Sequence, residues 1–143
     1  SQAKGIARGL YPAELEAKGL VAAVQELVQS AQSRYNGTIA LEISPGFTLK
    51  NSEKALHLYR IIQEALNNAV VHAKASQIVV SLRSDRESVE VSVADNGIGF
   101  DLQKVQMNGL GLRILKYRSS VIGGELKIRS LEPGCCVSCR VAR

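Results

Sequence analysis

Four polar side chains, Arg60, Glu64, Asn68 and His72, recur at intervals of four in this 143-residue chain. Residues four apart on an α-helix stand one above another on the same face. The spacing therefore stacks a guanidinium, a carboxylate, an amide and an imidazole in one line, with Gln63 and Asn67 beside it. A carboxylate and an amide one turn apart can hold a hydrated Mg²⁺ and orient a water or hydroxyl. Magnesium keeps several waters and takes few protein oxygens, so a sparse site suits it. From the spacing alone, a solvated helix face laced with intrahelical hydrogen bonds is the commoner reading.

Two further segments carry chemistry of a different kind. Asp95-Asn96-Gly97-Ile98-Gly99 follows an apolar alternation that ends at Val93. A carboxylate at a strand end can accept from an exocyclic amine, and glycines after it allow close backbone approach. Asp-Asn-Gly is also good hairpin chemistry, although Phe100 to Asn108 shows no alternation that would make a returning strand. Asn108-Gly109-Leu110-Gly111-Leu112 opens a helical pattern, and glycines at a helix N-terminus expose N–H groups and the positive dipole end to an anion. A flexible, glycine-capped entry is the plain alternative. The dinucleotide fingerprint after a strand and the G-x-x-x-x-G-K-[ST] loop are both missing from the sequence.

The elements that must position these groups follow from periodicity. Residues 1–15 read as a connector, interrupted by Gly5, Gly9 and Pro12, and residues 16–143 as the domain proper. Apolar residues at helical spacing (Leu20, Val24, Leu27, Val28, Ala31) predict one helix from Glu16 to about Tyr35, stopped by Asn36-Gly37. Thr38 to Ile43 alternates as a strand. Asn51 or Ser52 can cap the next helix, whose stripe runs from Leu58 to Val70 and whose end falls near Ala73 to Ala75. Ile78, Val80 and Leu82 pair with Val89, Val91 and Val93 around an Asp85-Arg86-Glu87 turn. Leu110 to Ile122 is a further helix closed by Gly123-Gly124. Glu125–Arg129 and Cys136–Val141 form a last strand pair around Glu132-Pro133-Gly134. Both element types mix without a regular strand–helix–strand repeat. That predicts an α+β two-layer sandwich, a mixed sheet covered on one face by about three helices.

Composition narrows the class. The length suits one domain with one core. No apolar run reaches a membrane span, and Ser1 to Leu10 lacks the apolar run of a secretion signal. The net charge of +5 is uneven, with eight Lys/Arg after Leu102 against Glu125 and Glu132. Such a basic part can attract phosphates, nucleic acid or an acidic partner, or can simply be a solvated face. Three cysteines make no disulfide framework. Cys136 and Cys139, three apart on a strand, point to opposite faces, so they read as small buried residues in a reducing cytoplasm.

Taken in order, an E-x-x-x-N helix, then D-N-G-x-G, then G-L-G-L at a helix start resembles the Bergerat ATP-binding fold of the GHKL family. Leu58 to Ala69 with His72-Ala73, and upstream Ala7 to Pro12 with Leu15 and Gly19-Leu20, resemble the nitrate-sensor-like sensor histidine kinases. Gly109 to Arg113, Gly123-Gly124 and the Ile-x-Ser at Ser130 continue the likeness over nearly the whole chain. The resemblance implies a catalytic domain that binds ATP with Mg²⁺. It donates the γ-phosphate to a histidine on a separate dimerisation domain, and a response regulator receives it afterwards. A cytoplasmic setting, under a parent that is membrane-bound or not, goes with that reading, and direct nucleic-acid contact does not.

The resemblance also implies roles. Glu64 would polarise the attacking histidine or a water, and Asn68 would coordinate Mg²⁺. His72 and Lys74 would lie near the phosphates. Asp95 would take the adenine amino group, with Gly97 and Gly99 shaping the base pocket. Gly109, Leu110 and Gly111 would hinge a lid of Phe100 to Asn108 and meet the phosphates. Two departures stand out. Gly134 is followed by Cys135 where the family usually has Thr, and a thiol is the weaker partner. His57 has no acidic residue after it, and His72 belongs to the ATP helix, so the phosphoacceptor is expected on dimerisation helices before Ser1. The rival readings are an ATPase driving a conformational clamp, an anti-sigma-type serine kinase and a degenerate nucleotide-binding or interaction module.

Overall fold

The computed structural model describes residues 12–98 and 110–143. Helices α1 (Ala13–Lys18) and α2 (Leu20–Gln32) come first, then β1 (Thr38–Ile43) and the long α3 (Ser52–His72). They are followed by β2 (Gln77–Ser84), β3 (Ser88–Asp95), α4 (Leu110–Val121), β4 (Glu125–Ser130) and β5 (Cys135–Ala142).

The single helix expected from Glu16 to about Tyr35 is two helices. Gly19 sits at φ 87°, a conformation open to glycine and strained for other residues. Its N–H bonds to Leu15 O at 3.1 Å, and its carbonyl accepts from Ala23 N at 3.1 Å. One residue thus closes α1 and opens α2, and the bend lets Leu15 and Leu20 both reach the core. Apolar periodicity continues through the break, which is why spacing alone conceals it. Gln32 finishes α2 by bridging outward: its amide donates to Gly37 O at 2.7 Å and its Oε1 accepts from Ile39 N at 2.8 Å. That pins the helix end to β1.

The five strands run β1-β2-β3-β5-β4. β1 and β2 are parallel, joined by the α3 crossover; the other pairings are antiparallel. Register puts Ile39, Ile78, Val80, Leu82, Val89, Val91, Val93, Val137, Cys139 and Val141 on one face, all of them buried. All the long helices pack on that face, α3 at its centre, where Leu58, Ile61, Ile62 and Leu66 are almost fully enclosed. This is the expected two-layer α+β sandwich. Cys136 pairs with Ala94 and Cys139 with Val91, so the two thiols lie on opposite faces as predicted. All three cysteines are free and buried. Among the described residues, no helix is long and apolar enough to cross a membrane, and no three His, Cys, Asp or Glu side chains cluster as metal ligands.

Candidate nucleotide site

α3 is the spine of the site. Asn51 caps its start, with Lys54 N donating to Asn51 Oδ1 at 3.0 Å. The apolar stripe then fixes its rotation and leaves Glu64 and Asn68 half-buried beside α4. There they meet the glycine-bearing start of that helix. A Cβ added at Gly111 would lie 2.9 Å from Glu64 Oε2 and 3.5 Å from Asn68 Nδ2. The absence of a side chain at Gly111 leaves the Glu64 carboxylate tip where it is, close to the backbone of α4. The position at the positive end of α4 also suits a carboxylate.

The Asp95 turn is sealed against the other end of α3. Ile98 N donates to Ala73 O at 2.8 Å, and a Cβ at Gly97 would lie 2.0 Å from that same oxygen. Gly97 is therefore fixed by close backbone approach. Asp95 is only 9% exposed. Its Oδ1 accepts from Gly97 N at 2.9 Å, and the backbone N–H of its cross-strand partner Cys135 also bonds the carboxylate. Burial pushes the Asp95 carboxyl above its ordinary range, and these two hydrogen bonds oppose the rise. A buried carboxylate held by its own backbone, at a strand end, is a pre-set acceptor for a neutral donor such as an amino group.

Cys135 lies beside Asp95 on the helix-facing side of the sheet. Burial first, then the Asp95 charge and Cys136, push its thiol up to about 12, so it stands neutral next to that carboxylate at neutral pH.

Lys74 and His72 flank Ala73, and both are exposed. Lys74 is at φ 54°, the one non-glycine residue with positive φ among those described. Occupying this helix-end position with a long cation costs about 1 kcal/mol relative to glycine. Lys74→Gly is accordingly expected to raise the midpoint of thermal unfolding by a few degrees. An unchanged or lower midpoint would show that the lysine side chain stabilises the fold enough to offset its backbone strain.

The structure therefore brings Glu64, Asn68 and Gly111 together, and Asp95, Gly97 and the Ala73 region carrying His72 and Lys74. Leu110 begins α4. Gly99, Gly109 and the segment Phe100 to Asn108 lie outside the described residues. Two contributors were not singled out from sequence. Asn96 accepts at Oδ1 from Ser76 N (2.9 Å) and Gln77 N (3.0 Å) and donates to Ser76 Oγ (2.9 Å), stapling the Asp95 turn to the start of β2. Tyr35 donates its hydroxyl to Ala75 O. Burial and then the charge of Asp95 hold that phenol protonated above its ordinary range. In sequence the Asp-Asn-Gly triplet reads as turn chemistry with a carboxylate placed for an amine, not as a staple to β2, and nothing local marks Tyr35. His57, which has no acidic residue after it, is buried on α3.

Residues 53–143 match the model of the family described as histidine kinase-, DNA gyrase B- and HSP90-like ATPase. The chain is 37% identical to the sensor histidine kinase LiaS of Bacillus subtilis over 123 residues, covering 86% of this chain and 34% of LiaS. It is 29% identical to the nitrate/nitrite sensor NarX of Escherichia coli over 121 residues, covering 85% of this chain and 20% of NarX. It thus spans about a third or less of these curated relatives. The fold is shared with the blue-light activated histidine kinase of Erythrobacter litoralis EL346 (TM-score 0.70, 22% identity, 85% of this chain and 44% of that one). It is also shared with the ATP-binding domain of PrrB from Mycobacterium tuberculosis (TM-score 0.64, 24% identity, 84% and 90%). With the family model matching well over half of its length, the chain belongs to the histidine kinase-, DNA gyrase B- and HSP90-like ATPase family.

Proposed function

We propose that this chain is the catalytic domain of a sensor histidine kinase. It holds Mg²⁺·ATP and presents the γ-phosphate to a histidine on a separate helical dimerisation domain, from which a response regulator is phosphorylated. One observation carries this reading: a single helix, α3, meets the glycine-bearing N-terminus of α4 at Glu64 and Asn68 and the Asp95 turn at Ala73. That arrangement supports a nucleotide site along one wall, with Asp95 toward the base and the start of α4 toward the phosphates. The domain works on the cytoplasmic side, where ATP is supplied, whether or not the parent is membrane-anchored.

Within this reading Asp95 accepts the adenine amino group while Gly97 and Gly99 leave room for the ring. Gly109, Leu110 and Gly111 offer N–H groups to the phosphates, with His72 and Lys74 adding donors from the far side. The Asn68 amide oxygen and the phosphates are hard donors of the kind Mg²⁺ takes; the ion supplies neutralisation of phosphate charge. Glu64 accepts from the N–H of the incoming imidazole and so keeps its other nitrogen a lone-pair nucleophile. The new N–P bond forms as the bridging O–P bond breaks and ADP leaves, a reaction governed by positioning and charge more than by covalent help.

Calorimetric titration with ADP and a non-hydrolysable ATP analogue, with and without Mg²⁺, tests the reading. Micromolar affinity is expected, about −8 kcal/mol. A folded sample that binds neither would overturn it. Asn68→Ala should remove about tenfold of the Mg²⁺-dependent affinity and leave Mg²⁺-free binding in place. An equal loss in both conditions would take Asn68 out of the metal role.

A further inference from the structure

We propose that the contact between His57 on α3 and Arg118 on α4 is a positioning device that holds the N-terminus of α4 against Glu64 and Asn68. Its bearing on nucleotide affinity rests on the function proposed above; the geometry does not. Arg118 Nη1 lies 3.3 Å from His57 Nδ1. Seven residues separate His57 from Glu64 on α3, and seven separate Gly111 from Arg118 on α4. The two helices therefore run antiparallel with polar contacts at matched heights, roughly 10 Å apart along each axis. Between these ends the interior residues are apolar, Ile61 and Leu115 among them. Apolar burial is non-directional and fixes axial register weakly. A directional bond at one end fixes where the other end sits.

An arginine only donates, so Nδ1 must be the accepting nitrogen and the neutral ring carries its proton on Nε2. Protonation would set a second donor and a second positive charge against the guanidinium, and the contact would be lost. The charged groups acting on the ring are Arg118 from α4 and Glu53, one turn back on α3. β5 meets the same end of α3, where Lys54 Nζ donates to Ala142 O at 2.6 Å, and the buried Cys139 thiol of β5 is held neutral by burial. Burial and then Arg118 lower the proton affinity of His57 below its ordinary value of 6.5, with Glu53 partly offsetting them. The sign follows. The contact is intact above 6.5 and is lost as pH falls from there through the folded-state midpoint.

The test is an NMR titration of the nucleotide-free chain from pH 7.5 to 5, with His72→Gln used to assign the ring signals. The backbone amide of Gly111 should shift with the same midpoint as the His57 ring, and Arg118→Gln should abolish that shared titration. ADP affinity should fall three- to tenfold more between pH 7.5 and 5.5 in the wild-type chain than in Arg118→Gln, ionisation of ADP itself being common to both. A Gly111 amide that does not follow His57, or identical pH profiles in the two proteins, would overturn the proposal. Failure to bind ADP at any pH would overturn the nucleotide reading instead, with the amide titration still deciding the positioning role.

Discussion

Asp95→Asn is expected to remove adenine-nucleotide binding while leaving a fold at least as stable as the original at pH 7. The carboxylate already accepts from Gly97 N and Cys135 N. An asparagine has one oxygen to offer those N–H groups, so its NH₂ turns toward the base and meets the adenine amino group donor to donor. Losing a charge-assisted bond and gaining that mismatch is worth about 3 kcal/mol, on the order of a hundredfold in affinity. Stability moves the other way. Burial raises the Asp95 carboxyl above its unfolded value, so the folded state favours the protonated form and stability falls as pH rises through that range. The neutral amide escapes this cost at pH 7. Calorimetry with ADP and a thermal melt of the same sample measure both halves. Unchanged affinity would remove Asp95 from base recognition. A melt lowered by many degrees would mean that the two backbone hydrogen bonds outweigh the burial of charge.

The residues of the candidate site differ in how legible they are in the sequence. Glu64 and Asn68 stood out because a four-residue spacing survives translation into a helix face, and α3 is long, capped and strongly apolar on its other side. Asp95 was visible as a carboxylate at the end of a clean alternation. The strands and their faces followed from period two, since one buried face specifies register. What sequence could not yield were contacts between segments far apart in the chain. Gly19 broke a helix whose apolar rhythm ran straight through it. Asn96 looked like turn chemistry because its three bonds go to Ser76 and Gln77, twenty residues away. Tyr35 reaches Ala75 across forty residues. The family resemblance rests on short motifs, those around α3, Asp95 and α4 together with Ala7 to Pro12, Gly19-Leu20 and Gly123-Gly124, each legible from its own local sequence.

Gly134→Ala is the most damaging single methyl the structure identifies near this site. A Cβ there would lie 1.7 Å from Asp95 O, 2.7 Å from Asp95 C and 2.9 Å from Asn96 Cα. These are backbone atoms of β3 and its exit turn, held by sheet pairing and by the Asn96 staple, so they cannot rotate aside as a side-chain tip would. The residue also sits at φ +104°, where an alanine is strained even in open space. Together these effects are expected to cost at least about 3 kcal/mol, lowering the melting midpoint by about 10 °C or more. Gly123→Ala separates the two causes. It shares a positive φ, +66°, but has nothing within 4 Å of the added methyl, so it should cost only about 1 kcal/mol. The site gives a second readout. Relieving the overlap at residue 134 displaces the Asp95 backbone and hence its carboxylate, so any Gly134→Ala protein that folds should have lost ADP affinity. Gly123→Ala, at the far end of α4, should keep it. Equal melting points for the two variants would mean that the Gly134 turn yields without moving Asp95, and that the base pocket is not built on that close approach.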